Sequence, residues 1–74
     1  MEEKLDAILG EINQGILSYE GDSLFDAGLL DSFEAINLVG ELEDNFGVEI
    51  DAKYVVEENF ATKAAILALL EKLL

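Results

Sequence analysis

Asp31-Ser32-Phe33 is the stretch of this chain whose residue types and placement can carry chemistry. The serine stands where an irregular loop, residues 17–30, gives way to an amphipathic helix. A hydroxyl in the first turn of a helix can cap that helix or can serve as an attachment point. As an attachment point it would suit a phosphodiester, because the positive end of the helix dipole favours an anion there. Asp31 and Glu34 oppose this in part by like charge. Asp31 is itself a good N-cap, and Glu34 three residues on completes a capping box. Were Ser32 the cap, the matching position would be Ala35 and no box would form. Asp31 as cap therefore leaves the serine hydroxyl free. On these local grounds alone the helix-start reading is the stronger, since Asp-Ser pairs are common where helices begin.

Other chemistries lack their residues. The chain has no histidine and no cysteine, so a Ser-His-Asp triad and a zinc site are both excluded. No nucleophile elbow surrounds Ser32, and no glycine-rich phosphate loop is present. Asp22 and Asp26 share the loop, but their spacing does not match a calcium-binding EF-hand. Turn formation is the better account of both. The expectation is a protein with no catalysis and no metal of its own.

Charge narrows the partners. Seventeen acids face four lysines and no arginine, a net charge of −13. Nucleic acid is excluded as a partner, since phosphate backbones need clustered Lys and Arg. An anionic membrane would repel the chain. No apolar run approaches the ~20 residues of a membrane span, and the opening Met-Glu-Glu-Lys is not a signal peptide. The expectation is a cytoplasmic monomer that meets proteins with basic surfaces.

These features need a scaffold, and residues 1–74 are enough for one small domain. Such a domain buries only roughly 60% of its unfolded surface. With no disulfide available, packed helices must supply the core, and the 51% hydrophobic content suffices for it. Leu5, Ile8, Leu9, Ile12 and Ile16 recur at helical spacing, with an end near Asn13 and Gly15. In the loop, Leu24, Phe25, Leu29 and Leu30 are apolar and should pack back on the core. The second helix should bury Phe33, Ile36, Val39, Leu42 and Phe46 and end at Gly47. Gly40 inside it suggests close packing against a neighbour. A short helix is expected at Ala52–Glu57, and a last helix capped by Thr62 that buries Ile66, Leu69, Leu70 and Leu73. The fold class is all-α: a small four-helix bundle of three main helices and one short one.

The series Gly28-Leu29-Leu30-Asp31-Ser32-Phe33-Glu34-Ala35-Ile36 resembles the Asp-Ser-Leu signature of acyl carrier proteins, with Phe33 in place of the commoner Leu. Leu24-Phe25, Val48-Glu49-Ile50 and Phe60-Ala61-Thr62 extend the resemblance over nearly the whole chain. It implies covalent 4′-phosphopantetheine on Ser32, delivered from coenzyme A by a phosphopantetheinyl transferase. The arm's thiol would carry an acyl or aminoacyl group. It also implies partner binding through Asp31, Glu34, Glu41, Glu43 and Asp44. The partners would be basic patches on adenylating ligases and acyl-transfer enzymes. Within the family, Leu29-Leu30-Asp31-Ser32-Phe33 is similar to D-alanyl carrier proteins, which serve teichoic acid modification. Glu34 and Asn59-Phe60 depart from that subgroup. An acidic helical adaptor without a prosthetic group, or a small calcium-binding protein, are the rival readings.

Overall fold

A computed structural model describes residues 2–74. Three main helices make the bundle: α1 (Glu2–Ile12), α3 (Ser32–Phe46) and α5 (Lys63–Leu73). Two one-turn helices, α2 (Gly15–Ser18) and α4 (Glu57–Phe60), and a 3-10 turn (Ala52–Tyr54) join them. The three main helices stand as the sequence predicts, and the minor part is more divided. The stretch expected to be one short helix breaks at Val55-Val56. Val56 has extended backbone (φ −130°, ψ 153°), and helix resumes only at Glu57. Adjacent β-branched residues favour that extended step.

Local signals set the ends of the long helices. Gly47 closes α3 in the left-handed region at φ 65°, its N–H donating to the Glu43 carbonyl. A side chain there would be strained, and glycine is not. The Thr62 hydroxyl caps α5 by accepting from the Ala65 N–H at 3.1 Å.

α1 packs on α3, and α4 packs on α5. Leu5, Leu9, Leu24, Leu38, Leu42, Ile66, Leu70 and Phe60 are almost completely enclosed between them. In so small a core each truncation matters. Leu38→Ala alone would cost about 2–5 kcal/mol, a large share of a stability of about 5–15 kcal/mol.

The face of α3 departs from expectation. Ala35, Leu38 and Leu42 form the buried row, and Val39 and Phe46 flank it half-buried. Phe33 and Ile36, expected in the core, are 73% and 65% exposed. Both rows have helical spacing, so periodicity alone does not separate them. The packed row carries the small Ala35, 6% exposed, at the start of the helix. Gly40 is also not a close-packing residue: a Cβ added there would meet nothing within 4 Å.

The loop is ordered by its own contacts. The Tyr19 hydroxyl donates to the Ser23 carbonyl at 2.7 Å and accepts from the Ser23 N–H at 2.9 Å. The Leu24 N–H donates to the Ala61 carbonyl at 2.7 Å, tying the loop to the start of α5. Leu24 and Leu30 are buried as expected, with Phe25 and Leu29 half-buried beside them. This anchoring fixes the direction from which the chain enters α3, and so the position of Ser32.

Candidate functional site

Ser32 is the first residue of α3. Its neighbours take the capping duty between them. Asp31 Oδ1 accepts from the Glu34 N–H at 2.7 Å, and Glu34 Oε1 accepts from the Asp31 N–H at 3.2 Å. Asp31 has extended backbone (φ −119°, ψ 177°), as an N-cap requires. The Ser32 side chain is exposed and has no hydrogen-bond partner among the described residues. The hydroxyl is thus held at a rigid helix end without being used by it.

An open, mostly apolar groove of about 240 Å³ adjoins the serine. Phe25 from the loop, Ala35 and Ile36 from α3, and Val55, Val56 and Phe60 line it. Ser32 and Glu57 are its polar members. Sequence reasoning did not find this groove. No signal in the sequence marked it, because Ile36 shares its helical spacing with residues expected in the core.

Helix geometry puts Phe33, Ile36, Gly40 and Asp44 on the exposed face of α3, opposite the buried row. Glu41 is exposed; the Nδ2 of Asn45 donates to its carbonyl at 2.8 Å and approaches its carboxylate at 3.4 Å. Glu43 differs from its neighbours. It is half-buried, and its Oε2 accepts from the Ile50 N–H at 2.8 Å. Of the acids singled out from the sequence, Asp31, Glu34 and Glu43 therefore hold local structure, and Glu41 and Asp44 are exposed, Glu41 meeting only Asn45.

The lysines do not neutralise this surface. Lys4 Nζ donates to the Asn45 carbonyl at 2.9 Å and lies 5.5 Å from the Phe46 ring centroid. Lys53 and Lys72 lie 5.3 Å and 5.5 Å from the Tyr54 ring centroid. Lys63 reaches Asp6 at 2.6 Å and Glu2 at 2.9 Å. Those two carboxylates, Asp6 foremost, raise the Lys63 pKa above its ordinary value of 10.5. Among the described residues no group of Asp and Glu side chains is placed to hold a metal ion. No described helix is long and apolar enough to cross a membrane.

A small helical bundle that offers an unengaged hydroxyl at a helix start can hold a group attached there. The family model for phosphopantetheine attachment sites matches residues 3–71. The chain belongs to that family, whose members are defined by covalent 4′-phosphopantetheine. No solved structure matches the chain. The residues present fit the group: Ser32 supplies an unengaged, exposed hydroxyl with open space around it. When bound, the group supplies a thiol, which this cysteine-free chain lacks, for carrying acyl groups as thioesters. Family membership also implies transient meetings with the enzymes that modify carriers and transfer acyl groups.

Proposed function

We propose that the chain is a stand-alone carrier whose 4′-phosphopantetheine is attached at Ser32 Oγ. The observation that carries this is the division of labour at the start of α3. Asp31 and Glu34 complete the cap between them, and the serine between those two acids is left exposed and unbonded. In this reading Ser32 anchors the arm, and α3 holds the anchor in a fixed frame. The exposed pair Phe33 and Ile36, with Glu41 and Asp44, meets partner enzymes. Asp31, Glu34 and Glu43 shape that surface and add their charge to it. Steering by one-signed charge raises association rates more than affinity, which suits a carrier that must leave each partner quickly.

The carried group is an acyl or aminoacyl thioester. The Leu29-Leu30-Asp31-Ser32-Phe33 pattern favours D-alanine as the cargo, within a cytoplasmic pathway. The chain itself performs no catalysis in this reading; the enzymes that meet it do.

Incubation with coenzyme A and a broadly acting phosphopantetheinyl transferase tests the reading, with intact-mass measurement. The mass should rise by one phosphopantetheine, and Ser32→Ala should abolish the gain while melting as the parent does. A gain in the variant, or none in the parent, would overturn it. Ser18 and Ser23 should stay unmodified.

A further inference from the structure

The groove beside Ser32 has a chemical asymmetry. Its lining is apolar except for Ser32 and one ionisable residue, Glu57. Glu57 is exposed and has no hydrogen-bond or ion-pair partner among the described residues. No lysine compensates it, since all four are engaged elsewhere: Lys4 at Asn45 and Phe46, Lys53 and Lys72 at Tyr54, Lys63 at Glu2 and Asp6. An uncompensated carboxylate beside a small apolar surface matches one kind of occupant. That occupant has a short apolar part and a positive charge next to it.

Size points the same way. An apolar cavity of about 150 Å³ holds one benzene. By that measure the groove, at about 240 Å³, holds roughly ten heavy atoms. Phe60, one wall of the groove, is itself almost wholly enclosed. A long fatty chain exceeds that volume, whereas the end of an aminoacyl thioester fits it.

We propose that Glu57 is a cargo-recognition residue: the groove takes the end of a short aminoacyl thioester, and the Glu57 carboxylate pairs with its α-ammonium. The proposal rests on the reading of Ser32 as the attachment residue. Pairing at an exposed carboxylate is weak by nature, as exposed ion pairs are. That weakness is useful, because the cargo must leave the groove when a transfer enzyme binds. The apolar part of the cargo meets Ile36 and Val56, both substantially exposed in the free chain. Covering them would lower the cost of leaving apolar surface in water.

The test compares two loaded forms that differ only by the amino group. The chain is modified at Ser32 with alanyl- and propionyl-coenzyme A analogues in which an amide replaces the labile thioester. Backbone amide shifts of Ile36, Val55, Val56 and Glu57 are then followed by NMR. The alanyl form should occupy the groove roughly two- to five-fold more than the propionyl form at low salt. Glu57→Gln should bring the two to parity, and Glu57→Lys should invert the order. Glu58→Gln, which changes an exposed neighbour outside the groove lining, should preserve the difference. Parity in the parent chain, or a difference that survives Glu57→Gln, would overturn the proposal while leaving the carrier reading intact. Failure of either analogue to add mass at Ser32 would overturn the carrier reading and this proposal together.

Discussion

The carboxylate of Glu43, on the last turns of α3, accepts the backbone N–H of Ile50 at 2.8 Å. The contact spans the turn at Gly47 and holds the chain as it leaves α3. It also separates Glu43 from the acids around it: Glu41 and Asp44 are exposed, and Glu43 is half-buried. Glu43→Ala should therefore cost about 1–3 kcal/mol, because a partly buried N–H loses a charged acceptor. Urea denaturation measures this, and a stability equal to the parent's would show the contact to be idle.

Charge reversal at Glu41 and Asp44 should act differently. Both are exposed, and the one contact, Asn45 to the Glu41 carboxylate at 3.4 Å, is long, so folding should be little changed. Association with a cognate transferase or ligase should slow, most at low ionic strength. Stopped-flow binding at two salt concentrations measures the rate. An unaltered rate constant at low salt would remove these acids from the docking surface.

Gly40 lies exposed inside α3, with open space where a Cβ would go. Gly40→Ala should stabilise the chain by about 1 kcal/mol through helix propensity alone. For a domain of this size that raises the melting midpoint by roughly 4–8 °C. A midpoint that fails to rise would mean that α3 is frayed there or bent in solution.

The ion pairs of Lys63 bridge the start of α5 to α1. Asp6 first, then Glu2, raises the lysine's pKa above 10.5. A group whose pKa rises on folding lends stability below its unfolded pKa and loses it as pH climbs through the folded one. The parent should therefore exceed Lys63→Met in stability near neutral pH, and the gap should narrow well above pH 10.5. Denaturation midpoints of the two proteins in neutral and alkaline buffer decide this; a gap that does not change with pH would refute it.

A charge of −13 on so small a body repels itself. Raising salt from 0.01 M to 0.1 M shortens the Debye length from about 30 Å to about 10 Å. The melting midpoint of the unmodified chain should rise over that interval. A flat or falling midpoint would show that self-repulsion is a minor term beside packing.

The parts of this protein legible in its sequence are those held by short-range bonds. The Asp31–Glu34 box, the Thr62 cap and the left-handed Gly47 each involve residues within three or four positions of one another. Residue type therefore specifies the geometry with no knowledge of the rest of the chain. The freedom of the Ser32 hydroxyl follows from the first of these, and so was readable too. Tertiary packing alone decided which apolar row of α3 turns inward. Phe33-Ile36 and Ala35-Leu38-Leu42 are equally periodic, and the choice depends on the shape that α1, the loop and α4 offer to the helix. It left Phe33 and Ile36 outside, beside the serine. The groove likewise joins Phe25, Ile36, Val55, Val56 and Phe60. They come from three separate stretches of the chain, and no spacing rule connects those stretches. They meet only because Leu24 is tied to Ala61 and the chain turns extended at Val56, which brings the loop and α4 together over the first turn of α3.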